Sequence, residues 1–184
     1  MKKNLLVISG PSGVGKGTLI NELLKSRKDI KCSISCTTRV PRKGEINGQS
    51  YFFLTKEEFQ NKIKEDEFLE YAEFSGNFYG TSKEVVQDII NQGFNVLLEI
   101  ETQGAMQIKQ KIKDCIMIFI APPSIEELER RLRGRNTDSQ EAIQKRLSIV
   151  QIELERSKNY DYIVVNDNIE TAVAKIAEII DAQR

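Results

Sequence analysis

The sequence predicts an α/β fold: a parallel sheet covered by helices, with a small mixed α/β lobe inserted into it and a helical lid. Three observations predict it. Short apolar runs alternate with segments of helical periodicity along most of the chain, the pattern of strand–helix–strand crossovers. The first apolar run leads through a glycine-rich loop straight into a helix. Residues 37–81 break the rhythm with Pro41, Gly44, Gly48, Gly76, Gly80 and many aromatics, as an inserted lobe would.

Taken in order, strands are expected at residues 4–9, 31–35, 95–101, 115–121 and 162–166, each a strand-length apolar stretch. Helices are expected at 16–25, 82–92, 104–111, 124–133, 139–158 and 169–182. Ser124 with Glu127, and Asp138 with Glu141, have the spacing of capping boxes. Val173, Ile176, Ala177 and Ile180 form one apolar stripe on the last helix. Within the lobe, Tyr51-Phe52-Phe53-Leu54 and the run from Phe68 to Phe74 read as strands. Residues 55–65 read as a helix capped by Thr55 with Glu58. The expected division is a core of 1–34, 82–123 and 159–184, a lobe of 35–81 and a lid region of 124–158.

The glycine-rich loop is Gly10-Pro11-Ser12-Gly13-Val14-Gly15-Lys16-Gly17-Thr18, set between Leu5-Leu6-Val7-Ile8 and an amphipathic helix. That context is what a phosphate-binding P-loop requires. Its backbone N–H groups can turn inward on an anion, the helix points its positive end at the same place, and Lys16 adds a full charge. Ser or Thr usually follows the lysine and reaches Mg²⁺. Here Gly17 holds that slot, and the hydroxyl comes one residue later at Thr18.

Composition narrows the chemistry. The 184 residues fit one domain with a substantial core. With 27 basic and 27 acidic residues there is no bulk charge drawing the chain to nucleic acid or a membrane. No apolar run reaches transmembrane length and no signal peptide is evident, so a cytoplasmic protein without nucleic-acid or membrane partners is expected. Cys32, Cys36 and Cys115 lack zinc spacing and are odd in number, which suits a reducing compartment. Histidine is absent. Histidine triads, histidine metal sites and phosphohistidine relays are therefore excluded. Phosphoryl transfer suits what remains, because it depends on positioning and charge.

Four further groups carry potential chemistry. Arg39-Val40-Pro41-Arg42 offers two guanidinium forks for phosphate on a stiffened segment, or simply solvated arginines. Tyr79-Gly80-Thr81 offers hydroxyls for a phosphate or a base edge, or is a hairpin end capping the next helix. Glu99-Ile100-Glu101 closes an apolar strand, so both carboxylates can share one strand face at the carboxyl end of the sheet, where α/β proteins bind ligands. A carboxylate there could hold Mg²⁺ directly or through water. Arg130-Arg131-Leu132-Arg133-Gly134-Arg135, with Arg146 further on, crowds positive charge where a polyanion could visit. It could equally be an exposed helix paired locally by Glu126, Glu127 and Glu129.

Together and in this order, these elements resemble guanylate kinases over essentially the whole chain. The motifs that carry the resemblance are the P-loop; Ser33-Ile34-Ser35-Cys36-Thr37-Thr38-Arg39-Val40-Pro41-Arg42; Gly48-Gln49-Ser50-Tyr51-Phe52-Phe53; Phe68-Leu69-Glu70; Tyr79-Gly80-Thr81; Gln103-Gly104-Ala105; Arg131-Leu132-Arg133-Gly134-Arg135; and Val165-Asn166-Asp167. The resemblance implies transfer of the γ-phosphoryl group of ATP to GMP with Mg²⁺, giving ADP and GDP in purine nucleotide recycling. It implies ATP held by Gly10 through Thr18, by Arg131 and Arg135, and by the segment of Asn166. It implies GMP phosphate on Arg39, Arg42, Tyr51 and Tyr79, and guanine near Ser35, Glu70, Thr81 and Glu101. Lys16, Arg39, Arg135 and Arg146 become the catalytic cations, and Glu99 and Thr18 the candidate metal ligands. The family usually has Asp where Glu99 and Glu101 stand, and Gly-Arg-Gly where this chain has Gly134-Arg135-Asn136.

Two other readings are open. One is a kinase for a different small phosphorylated acceptor, against which Glu70, Ser35 and Thr81 argue. The other is a binding module that has lost catalysis, against which the intact P-loop lysine argues.

Overall fold

Strands that are apolar at nearly every position need cover on both faces, and the chain supplies it at the centre of the sheet. The computed structural model describes residues 5–134 and 140–183, without the side chains at 141, 142, 145 and 146. A five-stranded parallel sheet is built from β1 (Leu5–Ser9), β2 (Ile30–Cys32), β7 (Asn95–Glu99), β8 (Cys115–Ala121) and β9 (Tyr162–Val165), in the order β2-β7-β1-β8-β9. Alternate residues of β1 feed two cores. Leu6 and Ile8 join one with Leu19, Leu23, Leu128 and Ile176, while Leu5 and Val7 join the other with Val86, Ala105 and Ile108.

The helices that give this cover are α1 (Lys16–Ser26), α5 (Ile125–Arg133), α6 (Gln140–Ser157) and α7 (Ile169–Asp181) on the first face. On the second lie α3 (Lys83–Asn91) and α4 (Thr102–Lys111). The stripe expected on the last helix is there: Ile176 and Ile180 are buried, with Val173 and Ala177 packed against the same core. Among the described residues no helix is long and apolar enough to cross a membrane.

The inserted segment forms a second, mixed sheet. It contains β3 (Cys36–Thr37), β4 (Phe52–Phe53), β5 (Phe68–Phe74) and β6 (Asn77–Ser82), in the order β4-β3-β6-β5. Its single helix, α2 (Lys56–Lys64), starts at a complete capping box: Thr55 accepts from the Glu58 N–H while Glu58 accepts from the Thr55 N–H. Phe59 is fully buried and stacks on Phe68 with ring centroids 4.5 Å apart, giving the lobe its own core.

Several expectations are corrected. The strand expected over 31–35 stops at Cys32, because the Ser33 N–H is the last to pair with β7 and the chain then crosses to the second sheet at Cys36. Tyr79-Gly80-Thr81 is no hairpin end: it lies inside β6, paired with both β3 and β5. Glu99 ends its strand, and Glu101 is the N-cap of α4, so the two carboxylates do not share a strand face. Ser124 accepts from the Glu127 N–H, but the Glu127 carboxylate bonds Arg130 and Arg131 rather than closing the capping box. The Asp138–Glu141 pair lies outside the described residues.

Candidate active site

The carboxyl ends of β1, β2 and β7 open onto a cleft of about 670 Å³ between the two sheets. It is lined from the core side by Ser12, Gly13, Gly15, Lys16, Gly17, Thr18, Glu99 and Glu101. Ser35, Arg39, Arg42, Tyr51, Glu70 and Tyr79 line it from the lobe side. Residues far apart in sequence thus face one another across one space.

The P-loop is shaped by close approach. Gly10 has φ +154° and lies so near β8 that a Cβ would stand 2.3 Å from the Ile120 carbonyl oxygen. Gly15, at φ +96°, is the N-cap of α1, in a left-handed conformation that glycine adopts without steric cost. No side chain caps α1, so its first N–H groups and its positive end face the cleft. Lys16 Nζ donates to the Gly10 carbonyl at 2.5 Å and the Pro11 carbonyl at 3.3 Å, folded back over its own loop. Gly10, Pro11 and Val14 are buried beneath the loop and do not line the cleft.

Asn166 and Arg131 lie behind the P-loop rather than on the wall of this cleft. Asn166 is only 4% exposed, and its amide donates to the Val14 carbonyl at 2.7 Å from behind the loop. Arg131 donates to Glu127 at 2.7 Å and to the Asn166 carbonyl at 3.1 Å. Neither lines the cleft; together they brace the P-loop from behind. The local pairing considered for the arginine-rich helix is also present, since Arg130 binds Glu127 and Arg133 binds Glu129. Arg135 lies outside the described residues, as does the side chain of Arg146.

On the lobe side, Arg39 makes a two-pronged ion pair with Glu45, its NH1 and NH2 groups 3.0 and 2.8 Å from the carboxylate oxygens. The Arg42 N–H also donates to Glu45, at 2.7 Å. Hydrogen bonding from Arg39 holds the Glu45 carboxyl below its usual pKa. Sequence reasoning missed Glu45. Its signal was a carboxylate in the same turn as two arginines that need orienting. Tyr51 lies beneath the Arg39 guanidinium, 5.4 Å from it, and edge-on to Tyr79, so the four phosphate-binding candidates form one cluster.

Glu70 is the most informative side chain in the site. It is 3% exposed, and burial raises its pKa to about 7, opposed first by its hydrogen bond from Thr81. Thr81 Oγ1 donates to Glu70 Oε1 at 2.6 Å and is itself fully buried. A hydroxyl has one proton to give. Thr81 therefore orients the carboxylate. Ser35 remains half-buried on the cleft wall.

For a divalent metal the donor set is sparse. No group of three His, Cys, Asp or Glu side chains that could hold a metal ion occurs among the described residues. Glu99 is accessible from the cleft, yet surrounding protein crowds its carboxylate and raises its pKa, with Lys16 opposing. Its Oε1 lies 3.9 Å from where a Cβ on Gly17 would be, beside the start of α1, and Thr18 is exposed nearby. One carboxylate and a hydroxyl fit Mg²⁺, which keeps several waters and is held largely by substrate phosphates.

Sequence reasoning also missed Glu153. It follows Val150 by three residues on the buried face of α6 and is 5% exposed. Burial first, then the charge of Glu101, raises its pKa to about 7, against Lys16 and Arg156. A lone glutamate on an apolar helical stripe was the available signal. Its folded-state pKa lies above the unfolded value. Its stabilising contribution is therefore complete below about pH 4.5 and is lost as pH rises through 7. The difference corresponds to about 3 kcal/mol, or several degrees of Tm at this chain length. Glu153→Gln is expected to flatten the fall in Tm between pH 5.5 and 8. Parallel Tm–pH curves for mutant and wild type would contradict this.

A family model described as guanylate kinase matches residues 2–183. The chain belongs to the guanylate kinase family. A guanylate kinase of Prochlorococcus marinus (strain NATL2A) is 53% identical over 173 residues, covering 94% of this chain and 93% of the relative. One from Synechocystis sp. (strain ATCC 27184 / PCC 6803 / Kazusa) is 53% identical over 180 residues, covering 98% and 94%. Among solved structures, the crystal structure of guanylate kinase from Anaplasma phagocytophilum superposes with a TM-score of 0.79 at 36% identity, covering 97% of this chain and 85% of that one. The guanylate kinase family resemblance read from the motifs is thus borne out, and so is the α/β fold with its second, mixed sheet.

Proposed function

We propose that this chain transfers the γ-phosphoryl group of ATP to GMP, giving ADP and GDP in purine nucleotide recycling. The observation that carries the reading is Glu70: a buried carboxylate, oriented by Thr81, facing a P-loop across one cleft. Guanine presents two adjacent donors, N1–H and the exocyclic amine, and a carboxylate can accept both.

In this reading the P-loop N–H groups and Lys16 hold the ATP phosphates. Arg39, Arg42, Tyr51 and Tyr79 hold the GMP phosphate, with Glu45 keeping the Arg39 fork in plane. Ser35 and Glu101 flank the base. The GMP phosphate oxygen attacks the γ-phosphorus directly and ADP leaves, so no side-chain nucleophile is needed. Glu99, directly or through water, and Thr18 would hold Mg²⁺, which would offset charge on the phosphates when bound. Arg135 and Arg146 belong to the 124–158 lid region and would reach the transferring group on closure. Arginines so placed can contribute roughly 10³–10⁵ in rate. Closure also excludes the water that would hydrolyse ATP.

The test is ADP production from ATP with GMP, AMP, CMP or UMP supplied separately. GMP is expected to be preferred by orders of magnitude. Equal rates with another acceptor would assign the cleft to a different substrate, and no turnover with any of them would refute kinase activity.

A further inference from the structure

We propose that Gly104 is a specificity-determining position, whose absent side chain leaves the slot in which the Glu70 carboxylate is held for reading the base. The inference rests on the reading of Glu70 given above.

The slot is defined by geometry. A Cβ built on Gly104 would stand 1.9 Å from Glu70 Oε2 and 2.8 Å from its Cδ. Real Cβ atoms do not approach so closely, so any residue with a side chain must displace the carboxylate. Gly104 lies in the first turn of α4, whose N-cap is Glu101, so the slot is also at the positive end of that helix. Thr81 closes the opposite side, bonding the other carboxylate oxygen at 2.6 Å.

The rest of α4 holds the strand to this slot. Gly104, Gln107 and Lys111 recur at helical spacing on one face. Gln107 Nε2 donates to the Tyr71 carbonyl at 2.6 Å and its Oε1 accepts from the Tyr71 N–H at 3.3 Å. Lys111 Nζ donates to the Leu69 carbonyl at 2.7 Å. The backbone on either side of Glu70 is thus tied to α4. The pairing of β5 with β6 also shifts register between Phe68 and Glu70, the kind of irregularity that re-aims a side chain near a site. With its backbone held and Thr81 at its flank, Glu70 has one way to yield, which is outward into the cleft where the base would lie.

Stability and specificity should therefore part. Alanine is a better helix former than glycine by about 1 kcal/mol, and the clash falls on the far end of one side chain rather than on backbone. Gly104→Ala is expected to keep or raise Tm and to leave binding of an ATP analogue unchanged. It should lower kcat/KM for GMP by roughly 10- to 100-fold, as an unmatched buried polar pair does, and narrow the GMP-over-AMP ratio. Glu70→Asp draws the carboxylate back by one methylene. In that background Gly104→Ala should cost much less than in wild type, and this non-additivity is the mark of direct contact.

Wild-type GMP kinetics in Gly104→Ala would overturn the inference, as would equal losses in the two backgrounds. If Gly104→Ala does not fold, the double variant with Glu70→Asp should fold, and its failure to do so would also overturn it. Glu70→Gln separates the two readings. An unchanged GMP-over-AMP ratio there removes the base-reading role itself. A narrowed ratio beside a normal Gly104→Ala removes only the proposal about Gly104.

Discussion

Lys16→Ala is expected to lower turnover by roughly 10²–10³ or more, the cost of removing one preorganised group from a charge-developing site. The ammonium sits at the mouth of the P-loop, bonded to the Gly10 and Pro11 carbonyls. Two like-charged phosphates must meet in this cleft, and Lys16 supplies a full charge where the helix end supplies only a fraction. Its removal has a second effect. Lys16 opposes the upward shift of the Glu99 pKa, so without it that carboxylate becomes harder to ionise. GMP binding, measured by titration without ATP, should change little, because Arg39, Arg42, Tyr51 and Glu70 lie on the opposite wall. Near-normal turnover would refute the P-loop assignment, and a defect confined to GMP affinity would move Lys16 to the acceptor side.

Glu70→Gln is expected to cost as much in selectivity as Lys16→Ala costs in rate. The substitution keeps the shape but replaces one acceptor with a donor, and that donor would face a guanine N–H. The ionised wild-type carboxylate should reject adenine, whose N1 is itself an acceptor and would meet it with no proton between them. A site built on such pairing can discriminate by roughly 10⁴ or more. In the mutant, kcat/KM for GMP should fall steeply and the GMP-over-AMP ratio should narrow. An unchanged ratio under identical ATP and Mg²⁺ would show that Glu70 does not read the base.

The same side chain predicts a pH dependence. In the free protein Glu70 titrates near 7, raised by burial, and only the ionised form accepts two hydrogen bonds. Free-enzyme ionisations appear in kcat/KM. This constant for GMP should therefore fall below about pH 7, by up to tenfold per unit. The nucleotide phosphate also titrates near pH 6, so the measure is the difference between wild type and Glu70→Gln. An acid limb that survives the mutation unaltered would assign it to the nucleotide.

The local elements were legible because local physics decides them. Runs such as Leu5-Leu6-Val7-Ile8 and Cys115–Ala121 are apolar throughout and lead into turn residues, so they read as buried strands and are. The capping box at Thr55 and Glu58 is a four-residue device, recognisable without context and formed as expected. The P-loop needs only its glycines, its lysine and the strand and helix on either side.

Other features required the folded chain. The edge at which 31–35 leaves one sheet for another depends on which neighbour pairs with it, and β7 stops offering partners after the Ser33 N–H. Glu45 and Glu153 look like ordinary charged residues until the fold brings an arginine fork to one and a buried helix face to the other. Packing turns the donors of Thr81 and Asn166 to Glu70 and to the Val14 carbonyl, which no local pattern shows. Sequence alone determined which residue types and local elements this protein has, and with them its family. Tertiary structure decided where each proton and each lone pair is used, because a donor is claimed by whichever acceptor packing brings within about 3 Å.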